Sequence, residues 1–250
     1  MKAVLLVGGL GTRLRSAVPS LPKTLASVGD KPFLELLVRQ LGSQGLHQLV
    51  MCTGYLAEQI QEVFQDGSDF GATIEYSKET VPLGTAGALK LAQCYVQNEP
   101  EFLVINGDTF LEIDFNEFIF SHRKHGGLAT MAVVPVDNSS RYGTVQVGAD
   151  GRILGFLEKK GQNAPGIINA GVYVFSSAVL ALIPQGPVSL ERDVFPLLMD
   201  QGFYAIEQRG MFIDIGTPDD YERAKKMSDR LAAATFYKQG GVSPPPPAIS

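Results

Sequence analysis

Several common protein classes are excluded by what the sequence lacks. It has two cysteines, Cys52 and Cys94, and three histidines in 250 residues. Neither cysteine has a partner at metal-ligand spacing, so both are expected as reduced core thiols of a cytoplasmic protein. No apolar run approaches the ~18 residues of a membrane span. The apolar runs are strand-sized, such as Ala3 to Val7. A secretion leader would need a longer apolar region and a small-residue cleavage site, so secretion is not expected. Positive charge is in deficit, with 21 Lys and Arg against 26 Asp and Glu. A nucleic-acid binder working by phosphate neutralisation would usually be basic, and that class is set aside. No Ser/His/Asp triad, zinc cluster or internal repeat is evident, and no hexapeptide array of a β-helix follows the core.

What is present is core material. Apolar residues make up 45% of the chain and charged residues 19%, enough to bury a full core. The patterning alternates between strand and helix. Buried-type strands are expected at Ala3 to Val7, Gln48 to Thr53, Thr73 to Ser77 and Phe102 to Asn106. Helices are expected at Pro32 to Gly45, Ala57 to Gln65 (Ile60, Val63 and Phe64 inward), Thr85 to Gln97 and Asp114 to His125. That alternation predicts an α/β protein with a Rossmann-like, mostly parallel central sheet covered on both faces. From about Leu128 to Gly210 the chain becomes β-rich. Asp150-Gly151 marks a hairpin, because its turn needs positive φ. Ser189 is expected to cap a helix over Leu190 to Asp200. Thr217-Pro218-Asp219-Asp220 is a dense helix start, with cap, proline and two acids at the positive end of the dipole. The expected organisation is one domain over residues 1–237, with halves at about 1–127 and 128–237, and a disordered Pro-rich tail over 238–250.

The first strand runs into Gly8-Gly9-Leu10-Gly11-Thr12-Arg13-Leu14-Arg15. Glycines there let backbone N–H groups approach an anion closely. A Walker loop would need Gly-Lys-Ser/Thr, which is absent. A dinucleotide fingerprint would need a third glycine where Leu14 stands. The loop instead delivers two arginines to where a phosphate would lie, although a glycine turn with solvated arginines would read the same way. Pro19 and Pro22 stiffen the segment that presents Lys23. Asp108 follows a buried strand, where α/β enzymes place their sites, and Asp214 ends a short apolar strand. Taken singly, each could serve only a turn or a cap. His122 and His125, with Arg123 and Lys124 between them, read as a solvated helix end.

Together these elements resemble the sugar-1-phosphate nucleotidyltransferases. The resemblance rests on Gly8-Gly9-x-Gly11-Thr12-Arg13-Leu14 with Pro22-Lys23, then Pro82-Leu83-Gly84-Thr85-Ala86-Gly87, Asn106-Gly107-Asp108, Glu158-Lys159, Asn169-Ala170-Gly171 and Asp214-Ile215-Gly216-Thr217-Pro218. It covers nearly everything up to about residue 230. Lys31-Pro32-Phe33-Leu34-Glu35 and Ser189-Leu190-Glu191 are most similar to the D-glycero-α-D-manno-heptose 1-phosphate guanylyltransferases. Two positions depart from the family pattern: Lys160 stands where proline often follows Glu-Lys, and Val7 where alanine is frequent.

The resemblance implies attack of a sugar 1-phosphate oxygen on the α-phosphorus of a nucleoside triphosphate, with pyrophosphate leaving. The crowded phosphates demand cations and a divalent metal. It implies Arg13 and Lys23 as catalytic residues, with Arg15 as a further candidate. Asp108 and Asp214 would hold Mg²⁺. Val7, Gly8, Gly9, Gly11, Thr12, Gly54, Tyr55, Glu79, Gly84 and Thr85 would bind nucleotide. Glu79 is the candidate for guanine, whose N1–H and N2–H₂ donors suit a carboxylate; a surface glutamate is the alternative. Asp108, Gly143, Glu158, Lys159 and Asn169 would bind the sugar phosphate. The expected partners are the two small substrates, with no nucleic acid and no membrane, in a monomer or homo-oligomer. Rival readings are a mannose-1-phosphate guanylyltransferase, a thymidylyl- or uridylyltransferase, and a non-catalytic subunit that binds nucleotide sugars. A glycosyltransferase would want Asp-x-Asp, and Asp108-Thr109-Phe110 lacks the second acid.

Overall fold

The computed structural model describes residues 1–14, 17–157 and 164–236. In chain order the first half contains β1 (Ala3–Leu6), a 3₁₀ turn (Lys23–Leu25), a hairpin of β2 (Ser27–Val28) and β3 (Lys31–Pro32), α1 (Phe33–Ser43), β4 (Gln48–Thr53), α2 (Ala57–Phe64), β5 (Thr73–Lys78), α3 (Gly84–Leu91), α4 (Gln93–Val96), β6 (Glu101–Asn106), β7 (Thr109–Leu111) and α5 (Phe115–His125). The second half contains β8 (Ala129–Val136), β9 (Thr144–Val147), β10 (Ile153–Leu157), β11 (Gly166–Ser176), α6 (Val179–Leu182), a π-helical turn (Leu190–Val194), α7 (Phe195–Leu198), β12 (Phe203–Glu207), β13 (Phe212–Asp214), α8 (Pro218–Lys226) and α9 (Ser228–Ala234).

Among the described residues the main sheet has nine strands. Its first-half strands run β5-β4-β1-β6 and are all parallel; Leu5 sits between Met51 and Ile105. Beyond β6 the direction reverses. β11 pairs antiparallel with β6 and β8, and β12 pairs parallel with β8. The β9–β10 hairpin hangs from β11 through Thr144 and Ile168. A separate two-stranded ribbon joins β13 to β7.

Both faces of the sheet are covered, so its central strand β1 is apolar at every position. Along β1, Ala3 and Leu5 pack into one core with Leu37 and Met51, while Val4 packs into the other with Val50 and Val104. The Asp150-Gly151 hairpin forms as its sequence requires, with Gly151 at φ +80°. Thr217 caps α8 by accepting from the Asp220 N–H, and Pro218 opens that helix.

Several details differ from the sequence expectations. Val63 is 40% exposed; Ala57, Ile60 and Phe64 already fill the inward stripe, and Val63 lies at its rim. The expected helix over Thr85 to Gln97 breaks at Ala92, and the C-terminal helix breaks at Met227. Ser189 does cap the next segment, but a π-helical turn follows. Pro196 explains that widening, since its ring would clash with the Arg192 carbonyl in a regular helix. Cys94 is exposed, whereas Cys52 is a core thiol. His122 is buried and hydrogen-bonds the Thr130 hydroxyl at 2.8 Å. The basic neighbours Arg123 and Lys124 face outward on the same helix, which is why sequence charge misplaced it. Among the described residues, no helix is long and apolar enough to cross a membrane.

Candidate active site

Because β1, β4 and β6 are parallel, their carboxyl ends open on one side, and the chain leaves each at a glycine: Gly8, Gly54 and Gly107. Close approach explains the first two. A Cβ on Gly8 would lie 3.1 Å from the Gly54 nitrogen, and one on Gly54 would lie 2.5 Å from Glu79 Oε1. A cavity of about 500 Å³ fills this edge. Val7, Gly8 and Gly9 form one wall, Gly54, Tyr55 and Glu79 the next, and Gly84 and Thr85 a third, while Lys23 and Asp108 close the end.

Past Lys23 lies a smaller hollow of about 240 Å³, lined by Gly11, Thr12, Arg13 and Gly216. Lys23 therefore stands in the wall of both. Its backbone is held by a tight turn, with Leu25 N–H donating to the Pro22 carbonyl at 2.9 Å. Gly11 adopts φ +58°, and a Cβ there would meet Lys23 Cβ at 3.2 Å. Leu14, 1% exposed, anchors the far end of the loop in the core and leaves Arg13 at the surface. The Lys23 ammonium donates to the Asp108 carboxylate.

Asp214 reaches the same place through the β7–β13 ribbon, where it lies opposite Thr109. The Ile215 N–H donates to the Asp108 carbonyl at 3.0 Å and locks the two turns together. Burial and then the negative charge of Asp108 push the Asp214 carboxyl above its ordinary range, and the Gly216 N–H it accepts from only partly offsets this. Two carboxylates thus lie close enough to repel each other, and Lys23 pairs with one of them, Asp108. Among the described residues, no group of three His, Cys, Asp or Glu gathers as a metal cage. The pair suits a hard divalent ion that draws its other donors from phosphate and water.

At the opposite end, Glu79 Oε2 accepts from the Leu83 N–H at 3.0 Å, and burial raises the carboxyl above its usual value. Gly84 opens α3 at φ +72°, where a Cβ would stand 2.6 Å from the Val188 carbonyl oxygen. Thr85 Oγ1 accepts from the Leu190 N–H at 2.8 Å and donates to Glu191 at 3.1 Å, tying this wall to the π-helical turn.

Residues expected for the sugar are placed less compactly. Asn169 donates to the Tyr173 hydroxyl at 2.7 Å and accepts from the Gly171 N–H at 2.9 Å, at the irregularity where β11 shifts register against β8. Gly143 lies against the end of β10; a Cβ there would meet the Leu157 carbonyl oxygen at 3.4 Å. Glu158 and Lys159, like Arg15 and the 238–250 tail, lie outside the described residues. Sequence reasoning missed Thr24, Cys52, Val81, Ala88 and Asn106 as cavity-lining residues. Thr24 adjoins Lys23, Val81 lies between Glu79 and Gly84, and Asn106 belongs to the Asn106-Gly107-Asp108 stretch, which was the available signal; Cys52 and Ala88 carried none. Burial pushes the Cys52 thiol up to about 12.

Known proteins match this chain in sequence and fold. The family model described as "Nucleotidyl transferase" matches residues 2–230. A D-glycero-α-D-manno-heptose 1-phosphate guanylyltransferase from Aneurinibacillus thermoaerophilus is 39% identical over 229 residues, covering 90% of this chain and 97% of that protein. The beta catalytic subunit of mannose-1-phosphate guanylyltransferase from Drosophila pseudoobscura pseudoobscura is 39% identical over 223 residues, covering 88% of this chain. The chain spans 60% of that subunit's length. Among solved structures, HddC from Yersinia pseudotuberculosis complexed with GMP-PN superposes with a TM-score of 0.81 at 35% identity, covering 90% of this chain and 98% of that one. The fold with its mostly parallel central sheet is thus matched among solved structures, and the chain belongs to the nucleotidyl transferase family.

Proposed function

We propose that the protein transfers GMP from GTP to a sugar 1-phosphate, with D-glycero-α-D-manno-heptose 1-phosphate as the first choice of acceptor. The observation that carries this reading is the position of Lys23, in the wall shared by a nucleoside-sized cavity and the arginine-lined hollow. In this assignment residues 1–127 bind nucleotide and residues 128–237 bind sugar phosphate. The heptose choice rests on Lys31-Pro32-Phe33-Leu34-Glu35 and Ser189-Leu190-Glu191 and is supported by the heptose 1-phosphate guanylyltransferase relative; mannose 1-phosphate is the second reading, supported by a relative of equal identity.

The cavity takes the nucleoside between the Gly8-Gly9 and Gly84-Thr85 walls. Glu79 is the acceptor for the guanine N1–H and N2–H₂ donors, held in place by the Leu83 N–H. Lys23 leaves Asp108 to bridge the α-phosphate and the incoming sugar phosphate. Arg13, across the smaller hollow, stabilises charge on the α-phosphate and on the departing pyrophosphate. A sugar phosphate oxygen forms the new bond to the α-phosphorus, and the bond from that phosphorus to the pyrophosphate oxygen breaks. The attacking oxygen is ionised at neutral pH, so no general base is required. Positioning and electrostatic stabilisation carry the catalysis. Asp108 and Asp214 would hold a divalent ion, with Mg²⁺ as the choice, and it would supply charge neutralisation among the crowded phosphates. Glu158, Lys159 and Asn169 are assigned to the sugar phosphate, with Gly143 giving the backbone room beside it.

The test is pyrophosphate release with Mg²⁺, using GTP, UTP, dTTP, CTP and ATP against heptose, mannose, glucose and N-acetylhexosamine 1-phosphates. Release with GTP and the heptose phosphate is the expected result. Release only with another pair would replace the substrates and keep the mechanism. No release by folded protein that still binds a nucleotide sugar would favour a non-catalytic subunit.

A further inference from the structure

We propose that Arg141 and Asp220 form a strap that holds the Tyr142–Gly143 segment against the strand ending in Asp214, and thereby sets the sugar-phosphate side of the site. The inference rests on the guanylyltransferase reading and extends it to two residues outside the cavity walls.

The connector between β8 and β9 crosses the molecule's surface to reach Gly143. Its start is tied to the stretch before β11, where Ser139 donates to the Ala164 carbonyl through both its N–H and its hydroxyl, each at 2.9 Å. Its end is tied to a different element. Arg141 donates to Asp220 Oδ1 at 2.7 Å, a contact spanning 79 residues of sequence. Next to it, the Tyr142 ring packs edge-on to Phe212 of β13, with centroids 6.3 Å apart. Two residues beyond Phe212 is Asp214.

Asp220 is built to receive this contact. Its carboxylate is 6% exposed and accepts from the Thr217 hydroxyl at 2.7 Å, while Arg223 approaches from the next turn at 3.7 Å. A carboxylate so buried needs its cation, because an unpaired charge in that setting is strongly unfavourable. Arg141 is half exposed and comes from a connector that could otherwise move. The pair therefore transmits the fixed position of α8 to the connector. Tyr142 and Gly143 then meet the Asp214 strand on one side and the end of β10 on the other. Arg141 and Asp220 are positioning residues, since nothing places them on the reacting atoms.

The test compares wild type, Arg141→Ala and Arg141→Lys in steady-state pyrophosphate release, with melting temperatures taken alongside. Arg141→Ala is expected to raise the KM for the sugar phosphate about tenfold, the scale of one lost coupling. The KM for GTP should stay within about twofold, because the nucleotide walls lie on other elements. Arg141→Lys, which keeps the charge, should recover most of the loss. Asp220→Asn, made in parallel, should show the same split between the two substrates. The double variant Arg141→Ala/Asp220→Asn should be no worse than the weaker single. A purely structural role would lower the melting temperature and move both KM values together, and that result overturns the strap. So does an unchanged sugar-phosphate KM in Arg141→Ala. Absence of pyrophosphate release by wild type with every pair would overturn the underlying reading instead, and is recognised because it appears without any substitution.

Discussion

The two halves of the sheet position their side chains by different means. In β5-β4-β1-β6, parallel strands end together, and Gly8, Gly54, Glu79 and Asp108 sit within two positions of the strand ends. Backbone geometry does the work: Gly8 and Gly54 permit close approach, and Gly84 turns the chain at positive φ. In the second half, the strands run antiparallel through β11, and side chains tie distant segments. Asn169 is held by Tyr173 across an irregularity, Arg141 reaches Asp220, and Asp214 reaches Asp108 through a ribbon. A parallel sheet edge makes a site from local sequence, whereas an antiparallel extension makes one from long-range pairs. The half proposed to bind nucleotide should therefore break through glycines and direct contacts, and the half proposed to bind sugar phosphate through its ties.

The largest effect is expected at the phosphate end. Arg13→Ala should lower turnover on the order of 10²-fold or more, the loss typical of one transition-state donor. A rapid-quench or coupled pyrophosphate assay reads this directly, and near-full turnover would remove Arg13 from the mechanism.

Asp214 should show function and stability in opposition. Its carboxyl is raised by burial and by Asp108, so its contribution to the stability of the metal-free fold is fully present below the ordinary carboxylate range and is lost as pH rises through the raised value. Asp214→Asn should then abolish most turnover yet raise the melting temperature of metal-free protein at pH 7. The gain should disappear as the pH is lowered towards the ordinary range. A lower melting temperature at pH 7 would show that the carboxylate is not repelled there.

A glycine pair sharpens the contrast between the halves. Gly84→Ala forces a Cβ onto the Val188 carbonyl at positive φ and should cost about 2 kcal/mol or more in denaturant unfolding. Gly143→Ala meets only ordinary contact, and its stability change should stay within about 0.5 kcal/mol. Equal costs would erase the distinction. Glu79→Gln should have a smaller, selective effect. It should reduce the preference for GTP over other triphosphates by roughly tenfold, since an amide oxygen accepts less well than a carboxylate from two donors.

The same contrast explains what the sequence discloses. The parallel strands, the glycines that end them, Lys23 in its proline-stiffened turn and the cap at Thr217 are local signals, and each lies where the pattern points. The burial of His122 was not legible, because Thr130 and Glu101 approach it from β8 and β6 while its sequence neighbours are basic. The π-helical turn was hidden behind a correct cap at Ser189. The Arg141–Asp220 pair carries no sequence signal at all, since its partners are 79 positions apart.

The most direct measurement is turnover and GTP affinity for Lys23→Ala in a single preparation, by pyrophosphate release and calorimetry. Lys23 forms the wall common to both hollows, where the two substrates' phosphates are assigned to meet. The expected result is a loss of turnover on the order of 10²-fold, with GTP still bound. Wild-type turnover in that variant would contradict the assignment of this wall as the reacting centre.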